Sequence, residues 1–73
     1  MKYAEEKRIR FIDYLLSQYG YFNRSAIANF FAIAPSQVTK DIATYKKLAP
    51  ANMFFNDSEK LYYKTNSFKP LYK

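Results

Sequence analysis

A single glycine, Gly20, and the prolines Pro35 and Pro50 divide most of this chain into short segments. Before Gly20, apolar side chains recur at three- and four-residue steps, the spacing of one helical stripe: Ile9, Ile12, Leu15, Leu16 and Tyr19. Gly20 follows the last of them, at the position where a left-handed residue commonly ends a helix. We therefore predict a first helix over about residues 3–19.

Two further helices are predicted between Asn23 and Pro50. Asn23 is a favoured N-cap residue, and Pro35 disfavours helical geometry before it, so the second helix covers about residues 24–31. Pro35 suits the first turn of a third helix over about residues 35–48. This helix has a packed stripe and an opposite polar, basic stripe: Val38, Ile42, Tyr45 and Ala49 against Ser36, Lys40, Ala43 and Lys47. A short turn before such an amphipathic helix predicts a helix-turn-helix.

Beyond Pro50, two apolar runs flank a polar turn over residues 56–60. The pattern predicts a β-hairpin over about residues 53–65, followed by a tail over residues 66–73 that folds back or begins a connection. The expected fold class is α+β, mainly α: one winged helix-turn-helix domain over residues 1–73, with three helices followed by a β-hairpin wing. Five phenylalanines are expected in its core: Phe11, Phe30, Phe31, Phe54 and Phe55.

The charge balance predicts an anionic partner. The net charge is +6, and such a field attracts nucleic acid or anionic lipid. Residues 34–73 carry seven basic and three acidic side chains, whereas residues 1–33 carry five basic and three acidic ones. The second half of the chain is therefore the expected contact surface.

Composition also excludes several kinds of site. Without cysteine or histidine the chain offers no disulfide, no Cys/His zinc site, no thiol nucleophile and no imidazole base. Its acidic residues are scattered, so we expect no enzyme activity, no catalytic residue, no metal site and no cofactor. No signal-peptide pattern and no apolar run of the ~20 residues needed to span a bilayer is present, which makes a cytoplasmic location the expectation.

The stretch from Arg24 to Leu48 resembles the DeoR-type helix-turn-helix. More closely, the chain is similar to the N-terminal winged-helix domain of the WYL-domain transcription regulators associated with bacterial phage-defence loci. The residues that match that family pattern are Gly20, Asn23, Arg24, Phe31, Ile33, Gln37, Thr39, Asp41, Ile42, Tyr45, Leu48, Ala49, Pro50, Lys60, Tyr62, Phe68 and Pro70. Ala34 departs from it, because the family commonly has a serine N-cap there. No WYL sensor domain follows here, so the chain is either part of a longer regulator or a naturally short relative.

The leading hypothesis is sequence-specific binding of double-stranded DNA by a transcription regulator, most simply a repressor. The residues expected to contact base edges lie at the start of the third helix: Ser36, Gln37, Thr39 and Lys40. Those expected to contact phosphates are Asn23, Arg24, Ser25, Thr44, Lys46, Lys47, Lys60, Tyr62 and Lys64. Asp41 is expected to have a structural partner instead, either Arg24 or an arginine of the first helix. Operator symmetry suggests a homodimer on an inverted repeat.

Two other functions compete with this hypothesis. Winged helices also serve as protein–protein interaction modules, but a lysine-rich face lacks the aromatic anchors that interface cores prefer. Binding of single-stranded nucleic acid or RNA is disfavoured because the aromatic residues fall on packing stripes rather than on an open sheet.

Overall fold

The computed structural model describes residues 2–72, so Met1 and Lys73, both within the expected domain, lie outside the description. Three helices and three short strands follow one another: α1 (Tyr3–Tyr19), β1 (Tyr21–Phe22), α2 (Arg24–Phe31), α3 (Pro35–Leu48), β2 (Met53–Asn56) and β3 (Leu61–Lys64). The fold is a mainly helical α+β winged helix, which confirms the fold class expected from the sequence.

Local chemistry sets the helix ends. Gly20 has a φ of 84°, and its amide donates to the carbonyl oxygens of Leu15 and Leu16, so α1 closes on a left-handed residue. Asn23 caps α2, because its Oδ1 accepts from the amide of Ala26 at 2.8 Å. Ala32, with a φ of 54°, ends α2 in the left-handed region despite its β-carbon.

The strand β1 was not predicted from the sequence, which indicated only the two-stranded wing. Tyr21 pairs with Tyr63 and Phe22 with Tyr62, so the sheet has the order β1-β3-β2 and is antiparallel throughout. β1 ties the start of α2 to the base of the wing. A strand of two residues is too short to show an alternating pattern in the sequence.

The core lies between the three helices and the inner face of the sheet. The predicted packed stripe of α3 is buried, and its opposite stripe is exposed along its whole length. The remaining core side chains come from α1, α2 and the sheet: Ile9, Ile12, Leu16, Phe22, Ile27, Ala28 and Met53. This arrangement leaves the polar, basic side of α3 facing solvent.

Several aromatic residues expected in the core are exposed instead. Phe30, Phe54 and Phe55 have exposures of 66%, 52% and 45%, and Tyr19, assigned to the packed stripe of α1, has 64%. Only Phe11 and Phe31 of the five phenylalanines pack partly against the core. A domain of this size has one small core, and a wing that projects from it cannot bury aromatic rings on both of its faces.

The C-terminal tail does fold back on the body, through two buried polar side chains. Asn52 donates to the carbonyl oxygen of Lys69 at 2.7 Å and accepts from its amide at 3.0 Å. Asp13 accepts from the amides of Leu71 and Tyr72 and from the hydroxyl of Tyr45, the last at 2.6 Å. Burial, and then the hydrogen bond to Asp13, raises the pKa of Tyr45 far above its usual range, so this phenol is neutral in the folded protein.

The start of α3 supplies a first prediction, about stability. Ala34 is the N-cap, with φ −69° and ψ 147°, and it offers no side-chain acceptor to the first amides of the helix. We expect Ala34→Ser to raise the free energy of unfolding by about 1 kcal/mol, because a serine Oγ can accept from one of those amides. Urea denaturation of the two proteins measures the difference.

Ser36→Ala is the matched control, because Ser36 already lies inside the helix and is exposed. It should change stability by no more than about 0.5 kcal/mol. A loss from Ser36→Ala as large as the gain from Ala34→Ser would show that Ser36 is the true cap and that the helix begins later.

Candidate nucleic-acid interface

The outer face of α3 is basic and carries no exposed carboxylate. Ser36, Lys40 and Lys47 are exposed there, and the helix contains a single acidic residue, Asp41. Asp41 is fully buried and turned towards α1, where its Oδ2 lies 2.6 Å from Nε of Arg8. Of the two partners expected for Asp41, the arginine of the first helix is therefore the one observed. The ion pair removes the only negative charge of α3 from its surface.

Gln37 lies at the border between the buried and exposed sides of α3. It is half-buried, and its Nε2 donates to the second oxygen of Asp41, Oδ1, at 3.1 Å. Its side chain is thus held by a residue one turn further along the same helix. Gln37 also lines an open hollow between the starts of α1 and α3, so part of the side chain stays accessible.

Arg24 and Thr39 join the start of α2 to the outer side of α3. Nη1 of Arg24 donates to Oγ1 of Thr39 at 3.0 Å, and the same hydroxyl donates to the carbonyl oxygen of Pro35 at 3.2 Å. The hydroxyl of Thr39 is therefore occupied, which leaves its methyl group for a base contact. The guanidinium of Arg24 remains exposed and has further N–H groups for an anion.

The fold brings the start of α2 and the turn of the wing to one hollow. Five of the residues expected to contact phosphates line it: Asn23, Arg24, Ser25, Lys60 and Tyr62. They come from parts of the chain that are far apart in sequence, and the pairing of β1 with β3 is what brings them together. Arg24 and Lys60 lie there beside the N-terminus of α2, an arrangement that suits a phosphate group, and the carboxylate of Glu59 lines the hollow with them.

The turn of the wing has a defined backbone. Asn56 accepts from the amide of Glu59 through Oδ1 at 3.0 Å and from the amide of Lys60 through its carbonyl oxygen at 2.7 Å. Lys60 has a φ of 60°, an uncommon value for a residue with a β-carbon. Its Nζ lies 3.7 Å from Oδ1 of Asp57 in an exposed pair, which is weak enough for a phosphate to replace.

A second groove runs between α3 and the wing, with a volume of about 310 Å³. On the helix side Thr39, Ala43 and Lys46 line it, and on the wing side Phe54, Phe55 and Tyr62. Phe55 lines this groove as well as the hollow at the start of α2. Sequence reasoning missed the two phenylalanines as surface residues. Strand alternation could have indicated only one of them, because it turns Phe54 and Phe55 to opposite faces of the hairpin, whereas both are exposed and both border this groove.

Three of the residues expected to contact phosphates are placed differently. Thr44 is half-buried, and its hydroxyl donates to the carbonyl oxygen of Lys40 inside the helix. Lys64 lies at the end of β3 opposite to Lys60, with its Nζ 5.9 Å from the ring centre of Phe68. The ring of Tyr62 stacks on Phe22, with ring centres 5.0 Å apart. Tyr62 is therefore the inward-facing member of the tyrosine pair on β3. It still borders the hollow at the start of α2 and the groove between α3 and the wing.

Another exposed aromatic cluster lies on α1 and α2. Phe11 stacks on Phe30 with ring centres 4.3 Å apart, and Tyr14 lies beside Phe11. Lys7 and Arg10 border the cluster, and no residue of α3 or of the wing lines it. This surface is separate from the basic face of α3.

None of the helices within residues 2–72 is long and apolar enough to cross a membrane.

Comparison with known proteins gives a consistent result. Residues 4–73 match a family described as the BrxR transcriptional regulator winged helix-turn-helix domain. The chain is similar to proteins named DNA-binding transcriptional repressor CapW, with 39% identity over 71 residues to the one from Escherichia coli (strain KTE188) and 38% to the one from Pseudomonas aeruginosa. Identity to the one from Stenotrophomonas maltophilia is 33% over 73 residues. The alignments cover 97–100% of this chain but only 24% of each relative, so the chain spans about a quarter of their length.

Proposed function

Because the chain belongs to the family of BrxR transcriptional regulator winged helix-turn-helix domains, we propose that it binds double-stranded DNA sequence-specifically and represses transcription. The observation that carries the proposal is the outer face of α3, which is exposed, basic and free of carboxylates because Asp41 turns inward to Arg8. A helix with such a face fits the major groove of B-DNA. The repressor role rests on the similarity to proteins named DNA-binding transcriptional repressor CapW.

The proposed base contacts come from the first half of α3. Lys40 can donate to O6 and N7 of guanine, and Gln37 can pair with N6 and N7 of adenine. Thr39 would contribute its methyl group to a thymine methyl, since its hydroxyl is bound to Arg24 and Pro35. Ser36, exposed in the first turn, completes the proposed set of base-contacting residues.

The proposed phosphate contacts flank this helix on two sides. On one side lie Asn23, Arg24 and Ser25, at the start of α2, together with Lys60 of the wing turn. Lys46 borders the groove beside the wing, and Lys47 is exposed in the last turn of α3. Thr44, Tyr62 and Lys64 remain proposed contacts with less geometric support, because their polar groups or rings already have intramolecular partners.

Assembly and context are further parts of the proposal. We propose that two copies bind an inverted repeat, since most helix-turn-helix operators mirror the two-fold symmetry of a dimer. The resemblance to the WYL-domain regulators associated with phage-defence loci further suggests that the regulated locus is a phage-defence locus. The proposed location is the cytoplasm, where a bacterial chromosome is reached, and the proposed role needs neither catalysis nor a cofactor.

Selection of bound sequences from a random pool of DNA duplexes tests the function directly. We expect enrichment of one motif with two half-sites in inverted orientation. Enrichment of a single half-site would remove the dimer and keep the DNA reading. If no sequence is enriched and the protein does not bind random duplex, the protein–protein interaction module becomes the better description.

The second prediction concerns how the wing contributes to binding. We expect Lys60→Ala to weaken binding to preferred and random duplex alike and to make the log–log salt dependence shallower by about one unit, because one phosphate contact is lost. Alanine keeps the β-carbon, so the left-handed backbone of the turn is unchanged. Titrations at several salt concentrations measure the slope.

Lys69→Ala is the matched control. Lys69 is also exposed, but it lies in the tail, where its backbone is bound to Asn52. It lines neither the hollow at the start of α2 nor the groove between α3 and the wing. Its replacement should leave the slope unchanged. Equal slopes for the Lys60 and Lys69 variants would mean that the wing turn does not contact the DNA backbone.

A further inference from the structure

We propose that Asp41 is a positioning residue for base reading: its carboxylate, itself anchored by Arg8, holds the side-chain amide of Gln37 in one orientation at the DNA-facing edge of α3. The inference rests on the proposed function, because it concerns how Gln37 would meet a base. It also assigns Arg8, a residue of α1, an indirect part in what α3 recognises.

The three side chains form a continuous chain of contacts from the inside of the protein outwards. Arg8 contacts Oδ2 of Asp41 at 2.6 Å, and Gln37 contacts Oδ1 at 3.1 Å, so each carboxylate oxygen has its own partner. Asp41 is fully buried and the side chain of Arg8 is 15% exposed, whereas Gln37 reaches the surface. The carboxylate cannot move towards solvent without losing the guanidinium.

Chemistry then determines which end of the amide faces inwards. A carboxylate paired with a guanidinium only accepts hydrogen bonds, so Gln37 must turn Nε2 towards Asp41 and not Oε1. The oxygen and the second N–H of the amide are left for a ligand. This is the acceptor–donor pair that complements N6 and N7 of adenine, whereas guanine presents two acceptors at the same edge.

An amide without this anchor could rotate by half a turn and exchange its donor and its acceptor. The rotation would weaken discrimination between bases, and ordering a mobile side chain on binding would reduce affinity for the preferred site. Asp41 therefore acts on specificity through Gln37, and it does so without touching DNA.

The free protein allows a first test that needs no substitution. Nitrogen-15 relaxation of the side-chain amides compares the chain's two glutamines, Gln37 and Gln18. We expect Nε2 of Gln37 to be nearly as ordered as the backbone and that of Gln18, which is exposed on α1, to be mobile. Equal mobility of the two side chains would overturn the proposal whatever the protein binds.

The second test is a double-substitution cycle with Asp41→Asn and Gln37→Ala. Asparagine is isosteric, but its oxygen would face the guanidinium of Arg8, which only donates, so its NH2 would face Gln37 and favour the opposite orientation of the glutamine amide. We expect Asp41→Asn to lower the ratio of preferred to random duplex affinity by about fivefold to tenfold in the wild-type background and hardly at all when Gln37 is alanine. Melting curves confirm that each protein is folded at the temperature of the measurement.

The outcomes separate the possible failures. If Asp41→Asn lowers the ratio equally in both backgrounds, Asp41 acts only by placing α3 and the inference is wrong. If the wild-type protein has no preferred duplex, the proposed function is wrong, and the relaxation measurement still decides whether Asp41 holds Gln37. If Asp41→Asn does not fold, the relaxation measurement carries the test alone.

Discussion

Replacing Arg8 with methionine is expected to lower the free energy of unfolding by about 3–5 kcal/mol, because it leaves the carboxylate of Asp41 buried without a counter-charge. Asp41 is fully buried, and Nε of Arg8 lies 2.6 Å from its Oδ2. The remaining donor, the amide of Gln37, is uncharged and cannot offset the desolvation of a carboxylate. Domains of this size are marginally stable, so a loss of this magnitude would unfold much of the protein at 25 °C. Urea denaturation at low temperature measures it.

Arg10→Met is the matched control on the same helix. Arg10 pairs with Glu6 at 3.7 Å with both side chains largely exposed, and it also lies over the ring of Tyr72. Such surface interactions contribute little, so we expect a loss of about 1 kcal/mol. The double variant Arg8→Met/Asp41→Leu should recover most of the stability, because an apolar pair can replace a buried ion pair. Equal losses from Arg8→Met and Arg10→Met would contradict the burial argument.

The second large effect is expected at Asp13. Asp13→Ala removes the acceptor of the Tyr45 hydroxyl and of the Leu71 and Tyr72 amides, and the phenol is left in the core next to Asn52. We expect a loss of about 3–4 kcal/mol, the sum of a lost charge-assisted bond and an orphaned buried donor. The end of the tail should also loosen, because the amides of Leu71 and Tyr72 lose their acceptor and only the packing of the Tyr72 ring against the core and Arg10 remains there.

Hydrogen exchange separates these two effects. The amides of Leu71 and Tyr72 should lose protection in Asp13→Ala, whereas the amides of α3 should remain protected until global unfolding. Asp57→Ala, in the exposed wing turn, should change neither the exchange of the tail nor the stability by more than about 0.5 kcal/mol. A tail that stays protected in Asp13→Ala would show that Asn52 and Lys69 suffice to hold it.

Much of this protein could be predicted from short-range patterns in its sequence. The order of three helices and a hairpin, the end of α1 at Gly20 and the packed stripe of Val38, Ile42 and Tyr45 are all properties of neighbouring residues. Helical periodicity and capping act within about one or two turns, so they leave a signal that can be read locally. The exposed, basic face of α3 follows from the same periodicity.

Other features depend on residues that are distant in sequence, and only the tertiary structure decided them. β1 exists because Tyr21 and Phe22 meet β3 some forty residues later, and that pairing is what places Arg24 beside Lys60. The sequence alone left two possible partners for Asp41, and the packing of α1 on α3 selected Arg8. The phenylalanines of the wing look apolar enough for a core, yet a domain this small has no second layer to cover them. Hydrophobicity is a property of a residue, whereas burial depends on which other elements reach it. The sequence therefore determined the helices and the faces of α3, and the long-range contacts determined the partners of the side chains and which aromatic residues are covered.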